Sequence, residues 1–132
     1  MGLVIDTNVF VSVERAGAAV DFDRWKSHGS AFISAVTASE LLVGVHRADT
    51  PVRRARREAF VEAILASIPA LDFTTAVART HAALLGRIPA GVQVPAHDAL
   101  IGATALHHGH AVLTADRRGF DRLPGVEVVA FP

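Results

Sequence analysis

At 132 residues and 13.9 kDa the chain is sized for one compact domain, 1–132, and a hydrophobic share of 51% against 20% charged residues gives it material for a real core. It has no cysteine, which excludes disulfides and thiolate metal sites and suits a reducing, cytoplasmic setting; no apolar run approaches the roughly 18 residues of a membrane span, and Asp6 interrupts the first one before it could serve for export. Its 13 basic residues balance 13 acidic ones, so any affinity for nucleic acid must come from how charge is distributed.

In chain order, LVI reads as a short buried strand ending at a polar turn, Asp6-Thr7-Asn8, and VFVSVERAG as a helix ending at Gly17. AAVDFDRWKSHG is expected to form a second helix, with Val20, Phe22 and Trp25 apolar and Gly29 as its stop, before strand two in AFI. SAVTASELLVGVHRA fits a mostly buried helix on which Glu40 is the exception. DTPVRRARREAFVEAILASIP starts a further helix with Thr50 as cap and Pro51 at the first helical position, closed by Pro69. ALDF reads as strand three, TTAVARTHAALLGRI as a helix and PAGVQVPAH as a loop. DALIGATALHHG is a small-residue helix stopped by Gly109, AVLT strand four, ADRRGFDRLPG a turn-rich connector and VEVVA strand five. Strands alternating with helices argue for an α/β domain on a mainly parallel sheet, because parallel neighbours need a crossover.

In open parallel sheets ligands gather beyond the carboxyl ends of the strands. Asp6 after LVI and Asp116 after AVLTA take such positions; Asp98 opens the small-residue helix, and Glu40 lies near the start of another, so each can project towards that edge. Taken singly, each acid has a structural reading: Thr37 to Glu40 (TASE) matches a capping box, Asp98 suits a first helical turn, and Asp116 can be a turn residue. Asp6 resists that reading, because burying an unpaired carboxylate costs roughly several kcal/mol. Crowded carboxylates raise one another's pKa unless a cation neutralises them, and hard oxygen donors suit Mg²⁺ or Mn²⁺. Such an ion, or a pair about 4 Å apart, can bind a phosphate oxygen, deprotonate a water and stabilise the leaving oxygen in phosphodiester hydrolysis. A phosphatase with an aspartate nucleophile is a weaker fit, since it calls for a second Asp where Asn8 stands.

Four segments in this order, VIDTNVF, ISAVTASELLVGV, HDALIGATAL and AVLTADRRGFDRLPGVEVV, resemble the PIN-domain ribonucleases, and within them the VapC toxins of type II toxin-antitoxin systems. The resemblance spans nearly the whole chain. It implies a PIN-like three-layer α/β/α fold with a central, mainly parallel five-stranded sheet in the order 3-2-1-4-5. It also implies Mg²⁺- or Mn²⁺-dependent hydrolysis of RNA, a homodimer, and a small cognate antitoxin that occludes the site. By motif the family's catalytic, metal-binding acids fall on Asp6, Glu40, Asp98 and Asp116. Many relatives carry a further acid two or three residues beyond the position of Asp116, where this chain has Arg118 and Gly119; Asp121 is the nearest candidate, and one tight metal site is the expectation. The alternative is a catalytically degenerate PIN-like module that binds RNA or a protein, its acids serving as caps and turns.

Thr7, Asn8 and Thr114 sit beside the acids and either orient a carboxylate or act as caps and turns. Arg117, Arg118 and Arg122 flank Asp116, where they meet either an RNA phosphate or only solvent. The strip from Arg53 to Arg57 reads first as a solvated helix face, with RNA, antitoxin or dimer contact as alternatives. His107, His108 and His110 read as a helix end rather than a metal site, His97 as a loop histidine outside the site, and Trp25 with most Phe residues as core.

Overall fold

A computed structural model describes all of residues 1–132. The run GLVI is apolar throughout and buried throughout, as a strand covered on both faces must be, and forms β1 (Gly2–Ile5). It is followed by α1 (Thr7–Arg15), β2 (Ser30–Ser34), α2 (Ala35–His46), α3 (Pro51–Ser67), β3 (Ala70–Leu71), α4 (Thr75–Gly86), α5 (Ala96–His108), β4 (Ala111–Thr114) and β5 (Val128–Ala130). The five strands form one sheet in the order β3-β2-β1-β4-β5, as the family resemblance implies, with every pairing parallel, as the alternation of strands and helices leads one to expect.

Side chains alternate across the two central strands and divide the core in two. Leu3, Ile5, Ala111 and Leu113 pack with Val9 and Phe10 of α1, Leu41 and Val45 of α2, and Val61 and Ile64 of α3. Val4 and Val112 pack on the opposite face with Leu84 of α4 and with Ala99, Ile101, Ala103 and Ala105 of α5. The result is the three-layer sandwich. Local signals fix the helix ends: Thr50 Oγ1 accepts the Arg53 N–H at 3.1 Å with Pro51 opening α3, and Gly109, left-handed at φ 70°, ends α5 and turns the chain into β4. No helix is long and apolar enough to cross a membrane.

Several local expectations are corrected. The Asp6-Thr7-Asn8 turn does not exist, because α1 starts directly at Thr7 with Asp6 in the N-cap position. Residues 18–29 form no α-helix but a loop and a 3-10 turn (Asp23–His28). Two interactions favour this: Asp21 Oδ1 accepts the Asp23 N–H at 2.9 Å, and Phe22 and Trp25 lodge between Phe10 and Phe131, with neighbouring ring centroids 5.3–6.3 Å apart. Strand three shrinks from ALDF to Ala70–Leu71. The small-residue helix starts two residues before Asp98, at Ala96.

The connector after β4 is anchored by Phe120, which is fully buried with Leu123 against α5 and opens a 3-10 turn (Phe120–Arg122). Phe120→Ala should therefore lower the unfolding free energy by about 3–5 kcal/mol in urea denaturation. A loss below about 1 kcal/mol would show that Phe120 does not anchor this segment.

Candidate functional site

The sheet register places Asp6 and the end of β4 side by side. Ile5 pairs with Leu113, and the Asp6 N–H continues the ladder by donating to the Leu113 carbonyl at 2.9 Å. The Asp6 side chain does not cap α1; it is 6% exposed, and its Oδ2 accepts the Thr114 hydroxyl at 2.8 Å. Burial raises its pKa from the usual 3.8 to about 6, against the pull of the Thr114 bond, and the charges of Asp98 and Glu40 add to the rise.

Thr114 has one proton, and the short bond to a carboxylate is its best use. Its oxygen then accepts the Asp116 N–H at 3.0 Å and the Asn8 Nδ2 at 3.3 Å, while Asn8 Oδ1 accepts the Ala115 N–H at 3.1 Å. Asn8 and Thr114 thus tie the start of α1 to the end of β4 and aim Asp6. Thr7 performs the same service for Glu40, donating to its Oε1 at 2.8 Å.

Glu40 is not a capping residue. The N-cap of α2 is Ser34, whose Oγ accepts the Val36 N–H at 3.0 Å, so Thr37 lies buried inside the first turn and Glu40 projects from the second. Its other oxygen, Oε2, stands 3.1 Å from His97 Nδ1. The sequence placed His97 outside the site; its one signal there was adjacency to Asp98. Thr37, whose Oγ1 lies 3.1 Å from Thr7 Oγ1, carried no sequence signal beyond its place in the TASE pattern.

Asp98 stands part-buried in the first turn of α5, and its pKa is raised by burial and then by the charges of Asp116 and Glu40, with His97 opposing. Gly119 is packed against it so closely that a Cβ would overlap Asp98 Oδ2. The backbone there is ordinary right-handed helical (φ −68°), so the close approach, not the torsion, requires glycine. As this backbone stands, the Asp98 carboxylate fills the space that any side chain at 119 would need.

Asp116 lies at the exposed rim, clamped by Arg118 through Nε–Oδ1 at 2.9 Å and Nη2–Oδ2 at 2.7 Å, and these bonds lower its pKa to about 2. Asp121 does not join the acids, because it forms an exposed pair with Arg117 one turn away, at 2.9 and 3.2 Å. Arg122 is committed too, its Nη1 donating to the Gln93 carbonyl at 2.6 Å. His107 and His108 close α5, and His110 stacks on Phe32 with centroids 4.8 Å apart, consistent with a structural role.

Asp6, Glu40 and Asp98 thus lie within one another's fields with Asp116 next to Asp98, and all their donors are hard oxygens. As the side chains stand, no three acidic or histidine groups converge tightly enough to grip one ion, since Asp116 holds Arg118 and Glu40 holds Thr7 and His97. The chemistry of the set nonetheless fits a dication, which would offset the burial and the added repulsion that raise Asp6 and Asp98.

The PIN domain family model matches residues 3–126, a span that includes all four acids. Ribonuclease VapC1 of Rickettsia felis is 34% identical over 130 residues, covering 98% of this chain and 96% of that protein. Ribonuclease VapC4 of Mycobacterium tuberculosis is 35% identical over 125 residues, covering 94% of this chain and 92% of that protein. Among solved structures, VapBC-5 of Mycobacterium tuberculosis, a member of the VapBC family of toxin-antitoxin systems, superposes with a TM-score of 0.76 at 29% identity, covering 98% of this chain and 97% of that one. The chain therefore belongs to the PIN domain family, in its VapC branch.

Proposed function

We propose that this chain is the toxin of a type II toxin-antitoxin pair, a divalent-metal-dependent endoribonuclease restrained by a cognate antitoxin. The observation that carries the reading is the buried Asp6 carboxylate at the joint of β1 and β4, facing Glu40 and Asp98, in a chain whose relatives are named ribonucleases. The likeness to VapBC-5, a toxin-antitoxin system member, supports the antitoxin.

Mg²⁺ or Mn²⁺ held by Asp6, Glu40, Asp98 and Asp116 would act as a Lewis acid on the scissile phosphate and acidify the attacking water. The chain's own groups prepare for this. Thr114 and Asn8 fix Asp6, so this acid needs no reorganisation, whereas Glu40, oriented by Thr7, must release His97 to reach an ion. Asp98 makes no protein hydrogen bond through its side chain and keeps its lone pairs available, while Gly119 leaves room for it. Asp116 must exchange Arg118, whose released guanidinium is then beside the site and suited to a phosphate oxygen; Arg117 and Arg122 are already committed to Asp121 and Gln93.

Asp6→Asn and Asp98→Asn should each reduce Mn²⁺-supported RNA cleavage by at least about 100-fold while preserving the fold. Cleavage retained in both variants contradicts the role given to these acids, and absence of cleavage by the wild type with either cation favours the degenerate RNA- or protein-binding alternative.

A carboxyl whose pKa is higher folded than unfolded destabilises the fold at pH values above the folded pKa, and the penalty disappears as pH falls below the ordinary one. For Asp6 the penalty at about pH 7 is on the order of 3 kcal/mol. In EDTA, Asp6→Asn should therefore be more stable than the wild type at about pH 7 by up to that amount, and the gap should close towards about pH 4. The difference between the two proteins cancels His110, whose lowered pKa acts in the opposite direction. Equal urea midpoints at both pH values would remove the electrostatic penalty assigned to Asp6.

Gly119→Ala should displace the Asp98 carboxylate and weaken Mn²⁺ binding by about 10-fold or more in calorimetry. Unchanged affinity would show that Gly119 does not set the position of Asp98.

A further inference from the structure

The arginines of α3 do not form one uniform face. Helical spacing puts Arg53, Arg56 and Arg57 on one side, towards the end of α1, and Arg54 on another, where its Nη2 donates to the His46 carbonyl at 3.1 Å. Together with Arg15 in the last turn of α1, the first three line a groove of about 490 Å³ whose one acid is Glu14. A chain with no net charge thus collects four guanidiniums along one groove against Glu14 in its lining and Asp49 on Arg53, a positive charge of two. Glu14 is paired with Arg57 at 3.2 Å and Asp49 with Arg53 at 2.8 Å, whereas Arg15 and Arg56 are exposed and make no ion pair.

The basic groove does not end there. Glu14, Arg15, Arg57 and Phe60 also line a narrower cleft of about 210 Å³ between α1, α2 and α3, and its far end is walled by Thr7 and Glu40. The half-buried Val11 and Phe60 line this cleft over Phe10 and Leu41 of the core. Arg15 is eight residue steps beyond Thr7, about 12 Å along α1, which a stacked strand covers in roughly three or four nucleotides. Guanidiniums along an open groove with an apolar, partly aromatic lining are the elements that hold a single strand without reading its sequence.

We infer that the groove from the carboxylates past Glu40 and Arg57 to Arg15, Arg53 and Arg56 is the path of the single-stranded RNA flanking the scissile bond. The inference rests on the ribonuclease reading and adds to it the side on which the strand leaves the site. A protein segment is the competing occupant; RNA is favoured because the charge is concentrated and continuous with a site suited to phosphodiester chemistry.

The test uses Asp6→Asn as a non-cleaving binder and a short fluorescent single-stranded RNA, titrated in Mg²⁺ over a range of NaCl concentrations. Adding Arg15→Glu and Arg56→Glu should weaken binding by at least about 10-fold and reduce the log–log salt slope by about 0.7 for each phosphate that is no longer neutralised. Arg54→Glu, on the other side of α3, should change neither. In the otherwise unaltered protein, the same pair of reversals should lower kcat/KM for RNA cleavage, mainly through KM. If the wild type cleaves RNA and the reversals change neither affinity, slope nor kcat/KM, the path is overturned and the ribonuclease reading stands. If Arg54→Glu weakens binding as much as the pair does, a general charge effect replaces the path. If the reversals abolish capture of the antitoxin but spare RNA, the groove belongs to that protein and the inference fails. If the wild type neither binds nor cleaves RNA, the ribonuclease reading falls with it.

Discussion

The site is organised around one buried carboxylate. Asp6 closes the β1–β4 ladder with its backbone while its side chain, 6% exposed, is kept in place by the Thr114 hydroxyl at 2.8 Å. Helices cover both faces of the sheet, and the start of α1 directly after β1 keeps Asp6 under that cover, whereas Asp116 beyond β4 lies exposed. The charge must therefore stay inside, and the surrounding residues are arranged around it. Asn8 and Thr114 join α1 to β4, and α2 and α5 bring Glu40 and Asp98 close enough to raise its pKa further. Keeping this charge inside costs stability, the familiar trade at functional sites.

Much of the architecture was legible from the sequence because each strand is a short apolar burst between helical patterns, and central strands buried on both faces need no polar alternation. Asp6 stood out for the same reason, as a charge among apolar neighbours. The status of Glu40 was not legible, since it turns on whether α2 begins at Thr37, which would make it a cap, or at Ser34, which puts it a turn further in. A shift of three residues decides between the two, and helix boundaries are the least readable feature of a sequence. The loop before β2 was misread because aromatic packing from Phe10 and Phe131, distant in sequence, holds Phe22 and Trp25 out of a helix.

The rim of the site was hidden for a different reason. Gly119 and Asp121 are read correctly only when three-dimensional neighbours are known: Asp98 occupies the space a side chain at 119 would need, and Arg117 takes Asp121 one turn along. The same holds for the arginines, which look equivalent as a run but divide by partner, Arg118 on Asp116 and Arg122 on a backbone carbonyl. In this way a chain of zero net charge presents both a carboxylate cluster at the start of α1 and a basic groove at its end.

The central claim is that these four carboxylates hold one divalent cation. Anomalous diffraction at the manganese edge from crystals soaked in Mn²⁺ tests it most directly. One strong peak is expected, bounded by Asp6, Glu40 and Asp98, with Asp116 swung away from Arg118 towards it. A peak elsewhere, or density showing Asp116 still clamped by Arg118 and no ion among the acids at saturating Mn²⁺, would contradict it.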